Sequence, residues 1–139
     1  MNKILLLLAI SFLTINAQAK DELNPYGRLL MGGGIEAEVA FFKSPNKEGL
    51  HDALIKFYGL EAFDMGIDKK VLKYRAIKSG RGIAYVHGEV TRLFLTDAAT
   101  SDNWYEAYLG KKIKLGVNYE SSKSVQPQHL LTEFQKTKK

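Results

Sequence analysis

VLKYRAIKSGRGIAYVHGEVTRLFLT, residues 71–96, is the stretch on which the fold turns. It predicts two strands, 71–78 and 82–96, joined around Ser79-Gly80-Arg81, a glycine-containing hairpin loop. Register then decides what each face carries, because a slip of one residue turns every side chain to the opposite face. A three-residue loop groups Leu72, Tyr74 and Ala76 with Ala84, Val86 and Gly88, and sets Lys73 and Arg75 beside His87 and Glu89. A two-residue loop mixes apolar and charged groups on both faces, so burial favours the three-residue register.

Upstream, Ile35, Ala37, Val39 and Phe41 alternate with Glu36 and Glu38, the period-2 pattern of a strand with one wet face. Ser44-Pro45 then reads as a helix start, serine at the N-cap and proline at the first helical position. Leu50, Ala53, Leu54, Phe57 and Tyr58 follow at helical spacing up to Gly59, so a helix is expected here. Downstream, Asp102 is a candidate N-cap for a short helix with Trp104, Tyr105, Tyr108 and Leu109 on one side. Ile113, Leu115, Val117 and Tyr119 alternate with Lys112, Lys114 and Asn118, the cleanest strand pattern in the chain. Pro127 opens a terminal helix carrying Leu130, Leu131 and Phe134, with a lysine-rich end that suits the helix dipole.

These elements predict an α+β fold: a single small domain with an antiparallel curved sheet of about four strands and one or two helices on one face. A small closed β-barrel is the alternative, because 82–96 and 110–120 also read as twisted barrel strands with internal glycines. The expected organisation is a signal peptide over 1–19, a flexible lead-in over 20–34, the folded domain over 35–120, and a polar linker with the C-terminal helix over 121–139.

The signal rests on Lys3, the apolar run from Ile4 to Ile15, and Ala17 and Ala19 in the A-x-A form that signal peptidase accepts. The run is shorter than the ~20 residues of a spanning helix. The expected location is therefore periplasmic or secreted, with no transmembrane segment in the mature chain. The chain has no cysteine, so a disulfide-dependent toxin or growth factor is excluded. Twenty basic against fifteen acidic side chains give a formal charge of +5. The excess clusters at Lys69, Lys70 and Lys73, at Lys111, Lys112 and Lys114, and at Lys136, Lys138 and Lys139. Such clusters read first as a solvated surface; where they recruit a partner, an exported protein meets an anionic envelope component or a protein, with no nucleic acid expected.

Three motifs bear on chemistry. Ser44-Pro45-Asn46-Lys47 and Ser101-Asp102-Asn103 match S-x-x-K and S-D-N, and Lys136-Thr137-Lys138 is a partial K-T-G. In these stretches the chain resembles the serine β-lactamases and penicillin-binding proteins, which implies roles for Ser44, Lys47 and Ser101 in acyl transfer. The chain is too short for that fold and the third motif lacks its glycine, so the family is not assigned. His87-Gly88-Glu89 places two metal-ligating types on one strand face, but Lys73 and Arg75 beside them oppose a bound cation. A surface ion pair is the expected role of Glu89, and neither metal nor cofactor is expected. Gly80-Arg81-Gly82 lacks the third glycine of a dinucleotide loop and precedes a strand.

The candidate binding surface is the aromatic and basic group Trp104, Tyr105, Tyr108, Lys111, Lys112 and Lys114, since flat rings bury area at low entropy cost and lysines attract an anionic partner. The expected function is that of an exported, non-enzymatic binding protein for a protein partner or anionic envelope component, such as an envelope accessory, inhibitor or immunity-type protein. The alternative is a small ligand carrier or hydrolase with a pocket in the curved sheet, lined by Tyr85, His87 and Glu89.

Overall fold

Successive strands in the computed structural model, which describes residues 22–96 and 104–137, pair antiparallel in the order in which they occur. They are β1 (Arg28–Gly32), β2 (Ile35–Phe41), β3 (Ala53–Tyr58), β4 (Val71–Ser79), β5 (Gly82–His87), β6 (Val90–Leu95), β7 (Tyr105–Tyr108) and β8 (Lys112–Val117). β8 returns to pair with β1 and closes the barrel. The small closed barrel of the alternative reading is thus what forms, in place of the four-stranded sheet. Closure leaves little unpaired strand edge, chiefly residues 75–79 of β4 beyond the end of β3, where the 42–52 loop lies instead.

Among the described residues three short helices accompany the barrel: α1 (Leu60–Asp64), α2 (Tyr119–Ser122) and α3 (Pro127–Thr137). α1 packs at one end, where Ala62, Ile67 and Leu109 are buried in the interior cluster. α3 lies outside, over β2, β3 and β4, with Leu130 and Leu131 buried against Ala40, Leu54 and Val71. The molecule therefore has two apolar layers, the barrel interior and the seam beneath α3. Lys56 bridges from β3 to Glu133 of α3 at 2.9 Å and 3.0 Å. Burial opposes the charge on Lys56, but the Glu133 and Tyr58 contacts outweigh it and hold its pKa above the ordinary lysine value.

This double layer explains the first departure from expectation. Ala53, Leu54 and Ile55 are all fully buried, Ala53, Ile55 and Phe57 in the interior and Leu54 beneath α3. A strand covered on both faces reads as a continuous apolar run, and its spacing also fits a helix. Hence 53–58 is β3 and not a helix, and Ser44-Pro45 lies in the loop before it.

The register also differs. Ser79 pairs with Gly82, so the β4–β5 loop is the two-residue turn Gly80-Arg81, with Gly80 at φ 57°. Leu72, Tyr74 and Ala76 face inward as expected, but β5 turns Ile83 and Tyr85 to that face, with Tyr85 opposite Ala76. The closed interior needs bulk, which a tyrosine and an isoleucine supply better than Ala84 and Val86. Moreover, 82–96 is two strands, split by a turn at Gly88-Glu89 and carrying a bulge where Tyr85 pairs with Leu93 and Val86 with Thr91. Phe94 of β6 lies over Gly82, where a Cβ would come within 2.5 Å of the ring.

The expected lead-in contains β1, and Gly33 and Gly34, at φ 58° and 81°, make the tight hairpin turn into β2. The interior alternation of Ile35, Ala37, Val39 and Phe41 is as expected, with Glu36 and Glu38 outside. The seam between β1 and β8 is short, pairing Leu30 with Val117 and Met31 with Gly116. A Cβ on Gly32 would collide with the carbonyl oxygen of Lys114 across that seam. Gly32→Ala is accordingly expected to lower the unfolding free energy by about 1–3 kcal/mol, read as a lower urea midpoint. An unchanged midpoint would show that the seam has slack. The expected signal peptide over 1–19, Ser101, Asp102 and the last two lysines lie outside the described residues.

Candidate functional site

The barrel ends are unlike each other. One carries α1 and the turns 33–34, 88–89 and 109–111, while the other is framed by the loop 42–52, the Gly80-Arg81 turn and the ends of β6 and β7. At this second end a pocket of about 400 Å³ opens between Phe41, Leu50, Ile83, Tyr85, Leu95 and Tyr105, with Asn24, Lys43 and His51 at its polar margin. That volume lies within the range of small-molecule sites, and an apolar lining with a few polar groups is their usual make-up.

The loop wall of the pocket is built by Asn46. Its Oδ1 accepts from the backbone N–H groups of Glu48 and Leu50 at 2.9 Å and 3.1 Å, and its Nδ2 donates to Asp52 Oδ1 and to the Ala76 carbonyl, both at 2.8 Å. Asp52 Oδ1 also accepts from Ala76 N at 3.0 Å, so the loop is clipped to the middle of β4. Gly49, at φ 76°, permits the tight turn that brings Leu50 back to the mouth. His51 Nδ1 lies 2.8 Å from the Phe42 carbonyl, which orients its ring at the rim.

Tyr85 and Tyr105 project inward and keep only 3% and 8% of their surface. Neither hydroxyl makes a hydrogen bond to a described residue, yet no fully buried side-chain oxygen or nitrogen among those residues lacks a partner. Both hydroxyls therefore reach the open space of the pocket. Burial pushes both phenols above the ordinary tyrosine pKa, Tyr85 further through Tyr105, while Arg28 pulls Tyr105 partly back. Both remain neutral donors across the physiological range.

Of the six residues expected to form one surface, the structure brings four together. Trp104, Tyr108, Lys112 and Lys114 lie outside β7 and β8, where Glu106 pairs with Lys114 and Tyr108 with Lys112. Glu106 accepts from Trp104 Nε1 at 3.0 Å and from the Tyr108 hydroxyl at 2.9 Å. The Trp104 bond chiefly holds the Glu106 carboxyl below its usual range; burial opposes this, and Tyr108, Lys112 and Lys114 assist. Lys114 sits 4.6 Å from the Trp104 ring centroid. Tyr105 instead turns into the barrel, and Lys111 pairs with Glu61 of α1 at 3.3 Å. The expected helix here is β7, in which 105, 107 and 109 face inward and 104, 106 and 108 outward, so aromatics on both faces imitated helical spacing.

His87 and Glu89 do not line the pocket. His87 packs on the Tyr74 ring at 5.8 Å near the opposite end, with Nδ1 3.1 Å from the Lys73 carbonyl, and Glu89 is exposed in the turn. Among the described residues no three metal-ligating side chains gather and no charged side chain is buried. Sequence reading named Tyr85 but missed Phe41, Leu50 and Leu95, because the mouth is assembled from strand ends far apart in the chain.

The fold and site define an eight-stranded up-and-down barrel with a pocket at one end, a size at which the interior is either filled or holds one small ligand. Comparison with protein-family models, curated proteins and solved structures finds no match to this chain.

Proposed function

We propose that this protein is a non-enzymatic binding barrel that holds a small, largely apolar molecule carrying a hydrogen-bond acceptor in its open mouth. The observation that carries this reading is a pair of tyrosines whose rings are buried and whose hydroxyls open into a largely apolar pocket, without partners among the described residues. A hydroxyl held at an apolar opening can exchange its bond to water for one to an acceptor that a ligand supplies, while the ligand's apolar part covers the lining. The interior supports a carrier more than a hydrolase, since the described residues bury no acid, base or nucleophile assembly. The A-x-A signal supports a site of action beyond the cytoplasm.

The neutral fluorophore N-phenylnaphthylamine is expected to bind at a single site. Ile83→Trp, which fills the mouth with a ring, should weaken it about tenfold or more while the far-ultraviolet spectrum stays unchanged. Tyr85→Phe and Tyr105→Phe should leave the dye bound but weaken ligands with a carbonyl acceptor by about 1 kcal/mol each. Dye binding by Ile83→Trp equal to that of the parent would remove the pocket from the function.

A further inference from the structure

A second concave surface lies on the opposite side of the loop 42–52, along the outer face of β4. Two depressions, of about 410 Å³ and about 630 Å³, meet at Arg75. The first is lined by Asp52, Lys73, Arg75, Val86 and Gly88, and the second by Asn46, Lys47, Glu48 and β4 from Arg75 to Lys78. Together they form one trough whose wall is the loop that Asn46 and Asp52 clip to Ala76.

The trough is basic. Lys47, Lys73, Arg75 and Lys78 line it and are exposed, and none forms an ion pair with a described residue, whereas Lys43, Lys56, Lys111 and Lys123 each do. The two carboxylates present are engaged by N–H donors. Asp52 accepts from Asn46 and Ala76, and Glu48 from the backbone of Lys78 at 3.3 Å. The Lys73 ammonium stands 4.8 Å from the Phe42 ring centroid, which holds its long side chain along the trough floor.

We infer that this trough binds an extended acidic segment of a partner protein, with carboxylates at alternate positions. Lys73 and Arg75 are two residues apart on one strand face, hence about 6.8 Å apart along it. An extended peptide repeats its same-side side chains at that same interval, so successive carboxylates meet successive cations. Arg75, at the junction, offers a fork that a carboxylate takes with two parallel hydrogen bonds. β3 pairs with β4 only as far as Tyr74, and beyond it the edge of β4 is met by Asn46, Asp52 and Glu48, whose side chains already bond the backbone of Ala76 and Lys78, so recognition falls to the basic side chains.

Other anions fit less well. No aromatic residue lines either depression, so single-stranded nucleic acid finds no stacking platform. A concave site with its cations beside a raised loop does not meet a flat bilayer. This inference is independent of the mouth pocket, which lies on the other side of the loop.

The test uses a fluorescein-labelled peptide of alternating glutamate and serine, and a second peptide of the same composition with its glutamates in one block. The alternating peptide is expected to bind about tenfold more tightly, and more weakly as salt rises. The pair Lys73→Glu and Arg75→Glu should reduce its affinity about tenfold or more. The pair Lys69→Glu and Lys70→Glu changes net charge equally outside the trough and should leave affinity unchanged. Circular dichroism of both variants shows that the barrel persists. Equal losses in the two variants, equal binding of the block peptide, tighter binding of heparin or of an oligonucleotide, or no binding at all would each overturn the proposal.

Discussion

Replacing Phe57 by alanine is expected to lower the unfolding free energy by about 3–5 kcal/mol, a large part of the whole stability of a domain this size. Phe57 is 1% exposed near the C-terminal end of β3 and meets Tyr74 edge-on, with ring centroids 6.3 Å apart at 83°. That arrangement sets the positive edge of one ring against the negative face of the other and adds to simple burial. The site cannot readily collapse to fill the gap, because Phe57 is paired with Ala37 of β2 on one side and held by the Lys69 backbone N–H, at 2.8 Å, on the other. Removing the ring therefore forfeits its transfer from water and leaves a cavity. Urea unfolding should show a lower midpoint at an unchanged slope, while Phe57→Leu, which keeps most of the volume, should lose less than half as much. A Phe57→Ala midpoint matching the parent would mean that Phe57 does not fill the barrel interior.

The same residue marks where the sequence was legible and where it was not. β2 and β8 were readable because one face meets the interior and the other meets water, so their alternation is plain in Ile35 to Phe41 and in Lys112 to Val117. The terminal helix was readable for the same reason: Leu130 and Leu131 face the barrel and the opposite side is wet. β3 was not, since α3 covers its outer face and erases the polar half of the pattern. β7 failed because Trp104 and Tyr108 on its outside are held by Glu106, a contact that no spacing rule anticipates. Closure itself is non-local: β1 and β8 meet across most of the chain, at residues whose glycines looked like linker. The mouth pocket inherits that difficulty, whereas the basic trough was partly visible in Lys73 and Arg75, two apart on a predicted strand.

Raising the pH through the interval from 10 to about 12 is expected to unfold the barrel, because its interior holds tyrosines that cannot ionise in place. Burial pushes Tyr74 up to about 12, against a small opposing pull from Arg92. Tyr85 and Tyr105 move in the same direction for the same first reason. The unfolded chain loses these phenolic protons near the ordinary value of 10.0, while the folded barrel retains them. Between the two values the native state binds more protons, so stability falls as pH rises. The contribution is intact below the unfolded value and is lost as pH climbs toward the folded one. For Tyr74 alone the loss approaches about 3 kcal/mol, a large share of the margin of a small domain. Lys56, also raised, adds a loss of the same sign. Tyrosinate absorbance followed together with far-ultraviolet circular dichroism should show a cooperative step in which ionisation and loss of strand signal coincide. Tyr74→Phe should move that step to higher pH relative to its own stability at neutral pH, since the residue that drives it is gone. Smooth ionisation of every tyrosine with the dichroism intact would show instead that the Tyr74 phenol is open to water, and would contradict the packing described for the barrel interior.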